Sequence, residues 1–447
     1  MSIIGSDRRT LVVGLGITGL SCVRFLRAQG RAVVVADSRL QPPGLAELKA
    51  GWPEVVVHLG PFDGDLFAGF SELVVSPGVS VAEPAIQQAA AAGARIVGDI
   101  DLFSREANAP VVAITGSNGK TTVTTLLGEM AIAAGWQVAV GGNIGTPALD
   151  LLDDTVELYI LELSSFQLET TDDLGAQVAT VLNVSDDHMD RYPDKMAYYQ
   201  AKQRVFRGCR QAVVNLDDAL STPMAPYKPV LRCFGFNRVN PDTFSTREDE
   251  QGTWITFGFD NLLLADRLQM LGRHNISNVM AALALGQAAG LPMDVMVSVA
   301  RNFRGLPHRC EWVRELAGVV YINDSKGTNV GATVAAIESL APPDGKLVLI
   351  AGGAGKGADF QPLRQPVSAH CRAVVLFGED AAQLASVLPE TVAVSRAGSL
   401  QEAVLAARGL ARAGDRVLLS PACASLDMFK DYRERGDQFR TLVEGLS

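Results

Sequence analysis

The stretch Thr115-Gly116-Ser117-Asn118-Gly119-Lys120-Thr121-Thr122 constrains this chain more than any other. An apolar run, Val111-Val112-Ala113-Ile114, precedes it, and Val123, Leu126, Leu127, Met130 and Ala131 follow on one helical face. Strand, glycine turn, Gly-Lys-Thr and helix is the order that holds nucleotide phosphates. The glycines let backbone N–H groups converge, the helix N-terminus adds partial positive charge, and Lys120 adds a full one. The Thr121 hydroxyl is then suited to ligate Mg²⁺. Gly116, Ser117, Asn118, Gly119, Lys120, Thr121 and Thr122 are therefore candidate ATP-binding residues. The pattern departs from G-x-x-x-x-G-K-[ST] at its first position, where Ile114 stands. A plain glycine turn with a solvated lysine is the competing reading, and the flanking strand and helix speak against it.

The rest of the chain extends this local pattern. Short apolar runs recur at 11–13, 33–36, 73–75, 111–114, 158–161, 178–182, 319–322, 347–351, 374–377 and 417–419. Continuous rather than alternating apolar strands indicate parallel sheets covered on both faces, so the fold class is α/β. At about 150 residues per domain, 447 residues suggest three domains. They are expected to be a Rossmann-like N-terminal domain over 1–98, a central P-loop-type ATPase domain with a parallel sheet over 99–305, and a Rossmann-like α/β domain over 306–447. A net charge of −10, with acids and bases interspersed, leaves no basic stripe for nucleic acid. No apolar run reaches membrane-spanning length, and no basic segment followed by an apolar one opens the chain. A cytoplasmic enzyme without membrane insertion is expected. The six cysteines form no C-x-x-C pair, which argues against structural zinc or a disulfide framework.

In the first unit, Gly14-Leu15-Gly16-Ile17-Thr18-Gly19 lies between a strand and a helix, and Asp37 ends the next strand. By motif alone NAD is the obvious ligand, although the geometry suits any pyrophosphate, and a ligand-free tight turn is the bland alternative. The loop Val75-Ser76-Pro77-Gly78-Val79 ends another strand and offers further backbone donors, or is a plain Pro-Gly turn. In the second unit Glu162 ends an apolar strand, on the edge where ligands bind in a doubly wound sheet, and is a candidate Mg²⁺ ligand. His188, flanked by acids in Asn183-Val184-Ser185-Asp186-Asp187-His188-Met189-Asp190, is a second candidate ligand. Lys202 reads from its polar helical surroundings as a surface lysine. His274-Asn275-Ile276-Ser277-Asn278 precedes an alanine-rich helix, where the asparagines are caps or base contacts. In the third unit the loops around 323–329, 352–357 and 420–427 all follow apolar strands and share one sheet edge.

Taken together, TGSNGKTT (115–122), GGNIG (141–145), LELSSFQLE (161–169), NVSDDHMDRYP (183–193), HNISN (274–278), GLPHRCE (305–311), NDSKGTN (323–329) and SPACASLDMFKDYRERG (420–436) make the chain similar to the Mur ligase family. These are the ATP-dependent amide-bond formers of peptidoglycan synthesis. NDSK and SPACASLD point to the branch that adds D-glutamate, and no Asp-Asn-Pro-Arg motif of the diaminopimelate-adding branch is present. The resemblance implies three substrates: ATP, D-glutamate and UDP-N-acetylmuramoyl-L-alanine. It implies that the N-terminal domain holds the UDP-sugar rather than NAD. Gly16, Ile17, Thr18, Asp37, Ser38, Arg39, Gly78 and Asn143 would serve that substrate, with Ser164 and Gln167 as supports. It also implies two Mg²⁺ ions, one through Thr121 and Glu162 and a second near His188 and Lys202, and a carbamate on Lys202. Lys120, Glu162, His188, Lys202 and Lys356 would then be the catalytic set. Asn275, Asn278, Arg309, Asp324 and Lys326 would contact ATP, and Thr328, Lys356, Ser425, Leu426 and Tyr432 would receive D-glutamate. The enzyme is expected to act as a monomer. A folylpolyglutamate synthetase or cyanophycin-type ligase shares the ATP chemistry but not the full first domain. An NAD-dependent oxidoreductase leaves the Gly-Lys-Thr loop idle, and a nucleotide-binding regulator leaves Glu162, His188 and Lys202 without purpose.

Overall fold

The structure, a computed structural model, describes residues 10–447 apart from Asp190, Val239 and Leu271. Its three sheets follow one another along the chain. The first runs Val56–Leu59, Val33–Asp37, Thr10–Val13, Glu72–Val75 and Arg95–Val97 from edge to edge, all parallel. The order of connection reverses between Thr10–Val13 and Glu72–Val75, so the loops after these two strands open the crevice where such sheets bind ligands. Ser76 ties the two loops together, its Oγ donating to the Gly14 carbonyl at 2.9 Å.

The central sheet has nine strands. Val138–Gly142, Leu158–Glu162, Val111–Thr115, Val178–Val181, Gln211–Asn215, Val230–Phe234 and Thr243–Asp249 are parallel, and Gly252–Phe257 and Asp260–Leu264 complete it as an antiparallel hairpin. The parallel sheet expected from the apolar runs is thus present where the phosphate loop lies. The antiparallel extension was not legible, because half-exposed strands such as Thr243–Asp249 carry polar residues along their length. Helix Lys120–Ala133 follows the loop and packs beside Arg273–Ala289, which ends at Gly290 in the left-handed conformation.

The third sheet pairs Glu311–Leu316 antiparallel with Val319–Asn323, then continues in parallel through Arg416–Leu419, Leu347–Gly352, Cys371–Phe377 and Ala393–Arg396. The first two sheets share one apolar core. Helix Asp99–Glu106 bridges them with Ile100, Leu102 and Phe103, and Phe103 meets Tyr159 edge-on at 5.1 Å. Contact between the second and third sheets is polar: Asn329 donates to both Asn118 and Asp187 at 3.2 Å, and Arg309 donates to Thr121 at 2.6 Å. Among the described residues no helix is long and apolar enough to cross a membrane.

Candidate active site

The phosphate loop is held open by its own glycines. Gly119 caps helix Lys120–Ala133 at φ +83°, and a Cβ there would lie 2.4 Å from Asn278 Oδ1. Ser117 and Asn118 are stitched to the next strand end: Ser117 N–H donates to the Asn183 carbonyl at 2.9 Å, and Asn118 N–H donates to Asn183 Oδ1 at 2.8 Å. Gly116 completes the turn, Thr121 and Thr122 lie in the first turn of the helix, and Thr122 lines the neighbouring cavity. Lys120 folds back on the loop, its Nζ donating to the carbonyls of Gly116 at 2.8 Å and Ser117 at 3.0 Å. Burial lowers its pKa, while the nearby carboxylates of Glu162 and Asp187 oppose that shift.

Lys202 sits in helix Lys195–Gln203 and is 1% exposed, so the surface position suggested by composition is incorrect. The helix carries Tyr198, Tyr199 and Ala201 inward, and Lys202 follows them. Its Nζ donates to the Gly116 carbonyl at 2.9 Å and lies 4.3 Å from the centre of the Tyr198 ring. Desolvation, reinforced by the charge of Lys120, pushes its pKa well below the usual lysine value. His188 adopts a left-handed backbone at φ +57°, a costly state for a residue with a Cβ. Its ring packs against Phe166 at 4.8 Å, and Nε2 lies 3.7 Å from Asp187. Burial lowers the His188 pKa; Asp187 opposes this, while Lys356, Lys120 and Lys202 add to it. The imidazole is therefore neutral near pH 7 and able to ligate a metal.

Glu162 is 2% exposed at the end of its strand. Oε1 accepts from Asn143 Nδ2 at 2.8 Å, and Oε2 is buried without a protein partner. An unpartnered buried carboxylate oxygen beside a phosphate loop is a fitting place for a divalent cation. Among the described residues no three His, Cys, Asp or Glu side chains are gathered into a metal cage. A cation held here would take most of its ligands from phosphate and water, which is the habit of Mg²⁺. Thr121 Oγ1 accepts from Arg309, so that guanidinium must release the hydroxyl before it can meet a cation.

Beside the loop lies a cavity of about 510 Å³, walled by Asn275 and Asn278 on one side and by Arg309, Asp324 and Lys326 on the other. Its far wall was not foreseen. Arg273 stacks on Phe236 at 4.2 Å, and His274 bridges Ser339 at 3.1 Å and Cys310 at 3.3 Å. Phe236, Arg273 and Ser339 lie outside the quoted motifs and far apart in the chain, so the sequence did not announce this wall. Burial sends the His274 pKa down to about 4 and the Asp324 pKa up to about 6. Lys326, stacked on Tyr432 at 4.3 Å, is lowered by burial to about 8.

The three polar loops of the third sheet converge as expected. Ala354 and Ala424 exchange backbone hydrogen bonds of 3.0 and 2.9 Å, and the Ala422 N–H donates to the Gly327 carbonyl at 2.9 Å. Such an approach needs glycine: a Cβ on Gly353 would lie 2.2 Å from the Ala424 carbonyl oxygen. Lys356 is exposed at φ +52°, Leu426 is exposed, and Ser425 is buried. Thr328 follows Lys326 in the first loop, and Tyr432 opens helix Tyr432–Glu444, its carbonyl accepting from Ser325 Oγ at 2.8 Å. Arg435, within the 420–436 segment but given no role from sequence, is fully buried and binds the carbonyls of Ser325 and Cys423, joining two of the loops.

At the first sheet, Gly16 caps helix Ile17–Ala28, and Ile17, Thr18, Ser38, Arg39 and Gly78 are exposed or half-buried around the crevice. Asp37 turns inward. Its Oδ2 accepts from Leu15 N–H and Arg39 Nη2, both at 2.7 Å, and Oδ1 accepts from Arg39 N–H and Nε at 2.9 Å. Burial would raise its pKa, but these donors together hold the carboxylate below its ordinary value. Gln167 also turns inward: its amide is spent on Ser164 at 3.1 Å and Asp99 at 2.8 Å, so it buttresses Ser164 instead of facing the crevice. Asn143 likewise is committed to Glu162.

Comparison with known proteins agrees along the whole chain. Three family models match in succession: Mur ligase MurD-like, N-terminal domain, over residues 8–98; Mur ligase middle domain over 114–286; and Mur ligase, glutamate ligase domain, over 308–423. The chain is 74% identical over 446 residues to a UDP-N-acetylmuramoylalanine–D-glutamate ligase of Marinobacter nauticus, covering 100% of both chains. It is 57% identical over 448 residues to the protein of the same name from Pseudomonas aeruginosa, again covering 100% of both. Among solved structures it is similar to a pseudomurein peptide ligase type C from Methanothermus fervidus, with TM-score 0.61 and 18% identity over 99% of this chain and 100% of that one. A UDP-N-acetylmuramate-alanine ligase from Thermotoga maritima gives TM-score 0.58 and 17% identity over 98% of this chain and 99% of that one. At these identities the structural likeness speaks for fold alone.

Proposed function

This chain belongs to the Mur ligase family, and from that premise we infer that it joins D-glutamate to UDP-N-acetylmuramoyl-L-alanine at the expense of ATP. The observation that carries the reading is that Lys120 and Lys202 meet at the Gly116 carbonyl, with the charge of Lys356 from the next domain also acting on His188. A site that must bring ATP, a carboxylate and a dicarboxylic amino acid together needs such a concentration of positive charge.

A carboxylate is a poor electrophile, so it is first activated. A carboxylate oxygen of the L-alanyl group attacks the γ-phosphorus, the bond from that phosphorus to the β–γ bridging oxygen breaks, and ADP leaves an acyl phosphate. The D-glutamate amine then attacks the carbonyl carbon, loses a proton, and expels inorganic phosphate from the tetrahedral intermediate. Lys120 and the backbone of 116–119 orient the phosphates, and Asn275, Asn278, Arg309, Asp324 and Lys326 hold the nucleoside side of ATP in the adjoining cavity. Thr328, Lys356, Ser425, Leu426 and Tyr432 receive D-glutamate on the third sheet's loops, and Gly16, Ile17, Thr18, Ser38, Arg39 and Gly78 line the UDP-sugar crevice, with Asp37 holding Arg39. Thr121 and Glu162 would hold one Mg²⁺, and His188 with Lys202 as its carbamate a second; when bound they neutralise the phosphate and carboxylate charges that otherwise repel. The low pKa of Lys202 supports the carbamate, since only an uncharged amine adds CO₂.

We assign the reaction to the cytoplasm and the catalytic unit to a monomer. The test is phosphate release with UDP-N-acetylmuramoyl-L-alanine, ATP and Mg²⁺, comparing D-glutamate, L-glutamate, L-alanine and diaminopimelate. Turnover is expected with D-glutamate only, because inverting the α-carbon turns the amine away from the acyl phosphate. Equal turnover with L-glutamate overturns the assignment.

A further inference from the structure

We propose that Arg191 is a positioning residue that fixes the Gly78 loop of the first sheet against the His188 face of the second. The proposal rests on the reading above, in which the Gly78 loop meets the UDP-sugar. Arg191 belongs to the second sheet's unit but reaches across to the first. Its Nη1 donates to the Pro77 carbonyl at 3.2 Å and its Nη2 to the Val79 carbonyl at 3.1 Å, one on each side of Gly78. Nη2 also donates to Glu169 at 3.0 Å, and the guanidinium lies 4.4 Å from the centre of the Phe166 ring. Phe166 in turn is the ring that His188 packs against at 4.8 Å. Finally, the Arg191 N–H donates to the His188 carbonyl at 3.0 Å, so the left-handed turn at His188 is what delivers Arg191 to the interface.

Pinning the Pro77 and Val79 carbonyls, while the Val79 N–H donates to the Ser76 carbonyl at 2.9 Å, leaves the peptide planes on either side of Gly78 little freedom. In a trans peptide the N–H lies opposite the preceding carbonyl, so binding the Pro77 oxygen directs the Gly78 N–H away from Arg191. Among the described residues that N–H has no protein acceptor, and Gly78 is exposed. It is a donor held in place for a phosphate or sugar oxygen. A flat, forked cation can bind two carbonyls and a carboxylate while stacking on a ring; a lysine ammonium matches the charge but not the fork. Only about 15% of the Arg191 side chain and 13% of the Glu169 side chain is exposed, so water competes little for these bonds.

The test compares wild type, Arg191→Ala and Arg191→Lys as full-length enzyme by steady-state kinetics and thermal midpoint. Both variants should raise KM for UDP-N-acetylmuramoyl-L-alanine by about tenfold or more, as expected for lost charge-assisted hydrogen bonds. KM for ATP and kcat at saturation should stay within about twofold, since uniform binding of one substrate is what has been weakened. An unchanged KM for the UDP-sugar in either variant overturns the proposal, and so does an equal rise for both substrates, which marks general loosening. If Arg191→Ala does not fold, Arg191→Lys decides. A wild type that does not turn over UDP-N-acetylmuramoyl-L-alanine with D-glutamate overturns the functional reading itself, and this inference with it.

Discussion

Lys120 and Lys202 share a single acceptor: their ammonium nitrogens lie 2.8 and 2.9 Å from the carbonyl oxygen of Gly116. Two full positive charges on one buried oxygen are unfavourable: burial lowers the pKa of both lysines, and the charge of Lys120 adds to the shift at Lys202. The shift at Lys202 favours the uncharged, nucleophilic amine. Carbamylation would replace the repulsion with an attraction.

Lys202→Ala should therefore lower kcat by roughly 100-fold, the scale on which loss of a metal-supporting group is felt. Added acetate should restore part of the activity, by supplying the missing carboxylate, and Lys202→Arg should remain inactive. Full activity of Lys202→Ala would refute the role.

Glu162 offers a test of the metal site that does not depend on turnover. Oε2 is buried without a protein partner, so Glu162→Gln removes charge from a place already shaped to hold it. The Mg²⁺ concentration needed for half-maximal ATP binding, followed by calorimetry, should rise by about tenfold or more.

Asp37 acts through others. Its carboxylate joins the Leu15 N–H to Arg39, so Asp37→Ala should release both the phosphate turn and the arginine. Affinity for UDP-N-acetylmuramoyl-L-alanine should fall by about 1.5–3 kcal/mol, the worth of one hydrogen bond to a charged group. ATP affinity, measured in the same titrations, should be unchanged.

Asp99 predicts a pH dependence of stability. It is buried at the start of the helix bridging the first two sheets; Oδ2 accepts from Gln167 and Oδ1 has no partner. Burial raises its pKa from 3.8 to about 6. With the folded value above the unfolded one, its contribution is fully present below pH 3.8 and is lost as pH rises through about 6. Asp99→Asn keeps an acceptor for Gln167 and removes the buried charge. It should be nearly neutral at the acid end and stabilise at pH 8 by on the order of 2–3 kcal/mol. Thermal midpoints across that range check this, and a constant difference between the two proteins would contradict it.

What the sequence by itself determined was local. The phosphate loop was legible because its chemistry lies in eight contiguous residues, and its neighbouring strand because burial on both faces demands an unbroken apolar run. The placement of Glu162 at one sheet's edge and of Asp324 and Ser425 at another's followed from the same reasoning, since parallel strands present their ends together. The tertiary structure decided the rest. Lys202 looks like a solvated helix residue until packing carries it to Gly116, 86 positions away. Asp37 and Gln167 fall in the UDP-sugar set by resemblance, and only packing shows their bonds to Leu15, Arg39, Asp99 and Ser164. The hairpin Gly252–Leu264 hides because a half-exposed strand need not be apolar throughout. Protonation belongs to this second class as well: desolvation and neighbouring charge set it, and both depend on chain segments far apart in sequence.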